Sequence, residues 1–420
     1  MQRVNRTIIL VVALCLFCGI TATVYGETLT PFWTVHPPDD LPVRGITLAD
    51  DGSRILVGGS QLTIFSRGGD RLWSGDAGAI SAMSGDGNYV ITAIDRNLRL
   101  LDKSGAEVWT RTMNTPVNYV AISKIGPLVV AMDTDGDISS WDLNGWSNGT
   151  LKIEPVKNLA ISPNADLIVV TTVSGLRYVN PDLTLRWTDR RTDSLDTYIA
   201  ISADGSIIYT AGSKRVSSHT KDGTLNWQKI VTDDDITSLA CSGDGQTVVV
   251  GSQDANVYAL DSQGNTHTKY KTGQWINAVA VSQDGTIIAT VSVDRSLSLL
   301  TRNGQLQATI KTGAIVQPRS LAISSDKTYL VAADPSTIYA YYIETGAISP
   351  DETAPPRIIS SRTTTMTPAA LEITTTVVTP SITVTEEIPT AIPTTKKSPV
   401  SVVTGVCAIA VVLMLARRTI

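Results

Sequence analysis

The stretch Leu239-Ala240-Cys241-Ser242-Gly243-Asp244-Gly245-Gln246-Thr247-Val248-Val249-Val250 decides the architecture, because its parts return along the chain at a nearly constant interval. Its first four residues recur as Val120-Ala121-Ile122-Ser123, Leu159-Ala160-Ile161-Ser162, Ile199-Ala200-Ile201-Ser202, Val279-Ala280-Val281-Ser282 and Leu321-Ala322-Ile323-Ser324, with looser copies ending at Ala49 and Ser84. The eight endpoints 49, 84, 123, 162, 202, 242, 282 and 324 are separated by steps of 35, 39, 39, 40, 40, 40 and 42 residues. A period of this size marks a repeat architecture, in which each unit buries its faces against its neighbours.

Turn chemistry divides each unit. Asp51-Gly52, Asp86-Gly87, Asp204-Gly205, Asp244-Gly245 and Asp284-Gly285 follow the apolar string. Asp-Gly tolerates positive φ at both positions and predicts a tight hairpin. A β-branched run comes next, as in Thr286-Ile287-Ile288-Ala289, then a second turn bearing Asp95, Asp135, Asp254 or Asp294. Leu101-Asp102, Trp141-Asp142 and Leu260-Asp261 lead into a third turn with glycine, such as Lys221-Asp222-Gly223 or Ser262-Gln263-Gly264. Four short strands per forty residues make a β-propeller blade. The fourth strands carry Trp73, Trp109, Trp187 and Trp227, and Trp33 stands 40 residues before Trp73. Phe32-Trp33-Thr34-Val35 therefore reads as a fourth strand without its first three, while the last copy, from Ser320 to about Ile348, has three strands and no fourth. The expected fold is all-β: an eight-bladed β-propeller over 27–348, closed by the N-terminal strand.

Val257-Tyr258-Ala259-Leu260-Asp261-Ser262-Gln263-Gly264, with Gly105-Ala106-Glu107-Val108-Trp109 and Gly223-Thr224-Leu225-Asn226-Trp227, resembles the pyrroloquinoline-quinone-type (PQQ-like) propeller repeat. The opening Ala200-Ile201-Ser202-Ala203-Asp204-Gly205 and the pair Trp141-Asp142 resemble WD40 repeats. The resemblance spans roughly 32–348 and implies the fold far more than an activity.

The two ends read as membrane segments. Arg3 and Arg6 precede an apolar run from Ile8 to Val24, and Val24-Tyr25-Gly26 supplies the small residues of a cleavage site, so 1–26 is an expected signal peptide, with an uncleaved anchor as the alternative. Residues 349–399 are rich in Thr and Pro without an aromatic residue and predict an extended, disordered, O-glycosylated stalk. Val400–Ala416 is uncharged and spans roughly 26 Å as a helix, enough for a short transmembrane segment. Arg417 and Arg418 then place the tail 417–420 in the cytoplasm and the propeller outside. This order of signal, head, stalk and tail resembles archaeal cell-surface proteins with a C-terminal anchor.

The chain has 420 residues, 42% hydrophobic and 17% charged, with a formal net charge of -5. Without a basic run, nucleic acid is not an expected partner. Quinoproteins of the resembling family hold their cofactor with vicinal cysteines, but the expected mature head has only Cys241, at a position filled by Ile or Val in sister repeats. His36, His219 and His267 lack metal-ligand spacing. No catalytic, cofactor or metal residue is expected.

Three motifs have bland readings beside the sharp ones. Gly145-Trp146-Ser147-Asn148-Gly149 matches a nucleophile elbow, yet falls where a loop between strands is expected. Within it Asn148-Gly149-Thr150 is a glycosylation sequon, making Asn148 a candidate acceptor on a surface glycoprotein. Asp133-Thr134-Asp135-Gly136-Asp137 resembles a Ca²⁺ loop but lacks the distal Glu, and reads as a polar turn.

The loops joining fourth to first strands share one face with those joining second to third strands. That loop face carries Arg190 and Arg191, Asp233-Asp234-Asp235 and Trp275, the candidate ligand residues: arginines for carboxylates or sulfates, Trp275 for stacking on a sugar. The expected function is non-catalytic binding or scaffolding outside the cell, toward a protein or glycan, from a single-pass membrane anchor. The alternatives are an extracellular carboxylate-based hydrolase or lyase, and a structural component of the cell envelope.

Overall fold

The computed structural model describes residues 29–37, 42–76, 80–153, 155–189, 197–343 and the strand Arg357–Ile359. Eight antiparallel sheets follow the sequence period. Blades 1 to 7 occupy 43–75, 80–112, 117–152, 156–189, 198–230, 236–271 and 276–311, and blade 8 begins at 321–342. Blade 6 is representative: Ile236–Cys241, Thr247–Ser252, Asn256–Asp261 and Thr266–Lys271 pair in chain order. First strands touch the first strands of both neighbouring blades at all eight junctions, so the ring is closed and these strands surround its axis.

Closure follows the expected route. Trp33–Val35 pairs antiparallel with the third strand of blade 8, Trp33 opposite Ala340 and Val35 opposite Ile338. Arg357–Ile359, inside the stretch assigned to the stalk, adds an unforeseen fifth strand parallel to Trp33–Val35. The remainder of the stalk, the signal peptide and the tail lie outside the described residues, and no helix among the described residues is long and apolar enough to cross a membrane.

The apolar core is a set of layers between blades. One layer joins Trp33, Val35, Tyr329 and Val331 of blade 8 to Ile46, Ile55, Val57 and Phe65 of blade 1. A second unites blades 2 and 3, with Ile91 and Leu98 against Val120 and Val129. Both faces of the second strands pack into these layers, which is why strands such as Val129–Asp133, Ile168–Thr172 and Thr247–Ser252 read as near-continuous runs rather than as alternating ones.

The tryptophans stitch the layers at the outside. Trp33, Trp73, Trp109, Trp187 and Trp227 each lie against the turn glycine of the following blade, Gly69, Gly105, Gly145, Gly223 and Gly264. Trp33 donates its indole N–H to the Arg67 carbonyl (2.9 Å), Trp109 to Leu143 (3.1 Å) and Trp227 to Ser262 (2.7 Å). Glycine is required here twice over: Gly223 has φ +79°, and a Cβ on it would stand 2.2 Å from the Trp187 ring. Where blade 6 lacks the tryptophan, Thr268 takes its place over Gly304 and donates to the Arg302 carbonyl (3.0 Å).

Candidate functional site

The first strands run from the loop face to the opposite, turn face, so each repeat presents one end to each mouth of the axial channel. The turn mouth is built by the residue after each repeat's terminal Ala or Ser. Backbone hydrogen bonds link these turns around the ring: Ser325 N to Asp50 O (2.7 Å), Asp50 N to Gly85 O (2.7 Å), Gly85 N to Lys124 O (3.1 Å), Ile125 N to Pro163 O (2.9 Å), Ala203 N to Gly243 O (2.8 Å) and Gly243 N to Gln283 O (2.8 Å). Side chains bridge the other two junctions, Asn164 Nδ2 to Asp204 O at 3.5 Å and Lys327 Nζ to Asp284 Oδ2 at 2.7 Å. The first of these borders a polar crevice of about 300 Å³ lined by Asp166, Arg186, Asp204 and Lys221.

Each turn is also satisfied internally. The repeat serine donates to the turn aspartate, Ser202 to Asp204 (2.7 Å) and Ser282 to Asp284 (2.7 Å), and accepts the amide five residues on, as Ser242 does from Thr247 (3.0 Å). The hydroxyl of Ser202 and the amide of Ser206 hold the Asp204 carboxyl below its usual range. For Asp284 partial burial acts in the opposite direction, and Lys327, Ser282 and Thr286 together outweigh it and keep it low. Only the glycine of each Asp-Gly pair takes positive φ, Gly245 at +66° for example. The tight turn expected of each Asp-Gly pair forms, with the aspartate at ordinary backbone angles and its carboxylate capping the turn, as Asp204 does for the Ser206 amide (2.9 Å).

The loop mouth is constructed differently. A β-bulge interrupts the first strand just after its leading apolar residue in blades 1, 3, 4, 6 and 7, at Arg44, Asn118, Lys157, Thr237 and Asn277. A bulge leaves one residue outside the ladder and re-aims its side chain. Arg44, Asn118 and Lys157 are exposed, whereas Asn277 is half-buried and donates to the Val316 carbonyl (2.5 Å). All five stand five residues before the terminal residue of their repeat, and the same offset falls on Ala79, Thr197 and Arg319. The eight positions thus hold three cations and no carboxylate. Arg319 leads into blade 8, yet its guanidinium lies 5.9 Å from the ring of Tyr119 in blade 3. The side chain therefore reaches across the mouth of the channel. Burial pushes the Tyr119 phenol up, and the Arg319 charge offsets part of that shift.

Outside this mouth the loop face is rich in acids. Asp233, Asp234 and Asp235 are exposed and build their own loop: Asp233 pairs with Lys269 (3.1 Å), Asp234 accepts from the Asp235 amide (2.9 Å), and Asp235 accepts from Ser213 (3.1 Å). Trp275 is 45% exposed in the next loop. Arg190 and Arg191 lie outside the described residues. Sequence reasoning named residues of this face but not Arg44, Lys157 and Arg319. Their shared repeat offset was visible in the sequence; the bulges at Arg44 and Lys157, and the reach of Arg319 to Tyr119, were not.

Ser147 is corrected from a loop to the first residue of the fourth strand Ser147–Lys152, with no helix following. Asn148 is exposed there on the outer edge of blade 3, and its amide donates to Ser140 Oγ (3.2 Å). Asp133 Oδ1 accepts the amides of Asp135 (3.2 Å) and Asp137 (3.0 Å), an ordinary capped turn, and no group of three metal-ligating side chains occurs among the described residues. His219 is buried against Asp189 (3.4 Å) between blades 5 and 4. Cys241 packs beside the layer between blades 5 and 6, where burial pushes its thiol up to about 12, too high for a nucleophilic thiolate.

Fold and mouths together define a β-propeller with a rigid, self-saturated turn face and a polar loop face. A family described as "beta-propeller protein" matches residues 177–347. No curated protein matches the sequence. Among solved structures, Sqt1 of Chaetomium thermophilum bound to the N-terminus of the ribosomal protein L10 is 12% identical, with a TM-score of 0.64, covering 75% of this chain and 100% of that one. The C-terminal WD40 domain of Sif2 is 15% identical, with a TM-score of 0.65, covering 76% and 100%. The computationally designed Ika8 protein is 16% identical, with a TM-score of 0.59, covering 74% and 99%. These likenesses establish the fold: the chain is an eight-bladed β-propeller similar in architecture to WD40 domains.

Proposed function

We propose that the protein is a non-catalytic binding or scaffolding propeller, exported, held to the membrane by 400–416 and carrying its loop face outside the cell. The observation behind the binding reading is the asymmetry of the channel. At the turn mouth polar groups are consumed in bonds between blades, whereas at the loop mouth bulges take five of the eight ring positions out of the ladder, and Arg44, Asn118 and Lys157 among them are exposed. Loops positioned by such a frame are where binding function concentrates. Sqt1, a propeller of similar architecture, was crystallised with a peptide terminus, a precedent for a polypeptide ligand. Export and anchoring rest on the signal-like 1–26, the Thr/Pro-rich 349–399 and the apolar 400–416. The enzymatic alternative would rest on the exposed Asp233–Asp235 carboxylates, and turnover lost in Asp233→Ala would favour it.

Membrane-impermeant biotinylation of intact cells expressing the full chain tests the topology. Labelling of the propeller before lysis is expected, and labelling only after lysis would overturn it. Thermal unfolding of the full chain against peptides and glycans tests binding: a ligand at a hundredfold above its Kd adds about 2.7 kcal/mol of stability.

A further inference from the structure

We infer that the loop mouth of the channel is a carboxylate-binding site for a short acidic segment of a partner polypeptide, with Arg319 as its central contact and Arg44 and Lys157 at its flanks. This deepens the binding reading above and rests on it. Three observations carry the inference. The ring position five residues before each repeat's end supplies Arg44, Lys157 and Arg319 and no carboxylate, from blades 1, 4 and 8. None of the three makes an ion pair among the described residues, although cations further out do: Lys152 with Asp137 (3.4 Å), Lys269 with Asp233 (3.1 Å) and Lys311 with Asp294 (3.6 Å). Arg319 already lies over Tyr119, so one face of its guanidinium is stacked while its planar edge offers paired N–H donors, the geometry that grips a carboxylate with two bonds.

The surroundings select the occupant. Asp76, Asp95, Asp135, Asp233 and Asp234 are exposed on the loop face around the cationic centre. A long polyanion laid across the face would meet these like charges. A chain end or tight turn carrying two or three carboxylates, lowered onto the axis, meets the three cations, and no ring position holds a carboxylate. Asn118, exposed at the same ring position, adds a carboxamide able to pair with peptide backbone.

The test is fluorescence anisotropy on the full chain in detergent micelles, using a labelled Gly/Ser peptide ending in three glutamates and the same peptide ending in three glutamines. Saturable binding of the glutamate peptide alone is expected, weakening as salt rises. Arg319→Gln should weaken it about tenfold or more, Arg44→Gln by less, and Lys221→Gln on the turn face not at all. The melting curve of each variant checks that the fold is intact. Equal binding of both peptides, no binding, equal loss in Lys221→Gln, or an unchanged Kd in both Arg319→Gln and Arg44→Gln would overturn the inference. Preferential competition by an anionic oligosaccharide would overturn the polypeptide assignment. Failure of surface biotinylation removes the extracellular reading and leaves this result standing, so the two can fail separately.

Discussion

The two mouths of the channel are made from opposite ends of the same eight strands, yet they solve the problem of an exposed strand edge differently. At the turn mouth each unit passes a hydrogen bond to the next, from Ser325 through Asp50 and Gly85 to Lys124, mostly through the backbone, so the linking residue varies from Gly85 to Gln283 while the Ser–Asp pair beside it recurs. At the loop mouth the ladder is broken by bulges, and the freed position varies from Arg44 through Asn118 and Lys157 to Asn277. The lesson is that a mouth linked through its backbone holds its blades whatever side chain stands there, while a mouth opened by bulges presents the side chains themselves. On the proposed binding reading, stability and recognition fall on opposite faces of one scaffold.

The largest effect that would break this comparison comes from the closing strand. Trp33→Ala removes a fully buried indole, its bond to Arg67 and the packing over Gly69, and should cost about 3–5 kcal/mol in denaturant unfolding of the full chain. Gly223→Val combines positive φ with a clash against Trp187 and should cost about 2–4 kcal/mol, read from the shift in unfolding midpoint. On the turn face, Ser242→Ala deprives the buried Thr247 amide of its acceptor and Asp244 of its donor, for a loss of about 1–2 kcal/mol by the same measurement.

Acid sharpens the comparison further. The turn carboxylates Asp86, Asp204, Asp284 and Asp326 all have their pKa lowered by folding from the usual 3.8. A lowered folded-state pKa means that their contribution is complete above the unfolded value and is lost as pH falls through the folded one. Stability should therefore hold from pH 7 to about pH 5 and decline below about pH 4, and Asp204→Asn should flatten that decline in a pH series of melting temperatures. The smallest effect belongs to the loop mouth. Arg319→Gln should alter unfolding free energy by less than about 0.5 kcal/mol, since its exposed side chain makes no ion pair among the described residues and its contact with Tyr119 is at the ring face. A larger loss there would mean that the mouth is structural.

Much of the ring was legible from local chemistry. The spacing of 49, 84, 123, 162, 202, 242, 282 and 324 counted the blades, and Trp33 one period before Trp73 disclosed how the ring closes. These features depend on residues within one turn, one strand or one repeat, where periodicity and conformational preference act over short separations. The Ser147 strand was misread as loop because a cross-strand partner, Trp141, decides it.

The candidate site was legible only as a face. By itself the sequence determined the blade, its repetition, its turns and its closing strand. Tertiary structure alone decided that Arg44, Lys157 and Arg319 stand on the same loop mouth, that bulges take Arg44 and Lys157 out of the ladder, and that Arg319 meets Tyr119 two hundred positions away in the chain. The physical reason is that a closed ring brings residues from distant repeats around one axis. No local pattern in a linear chain encodes that convergence.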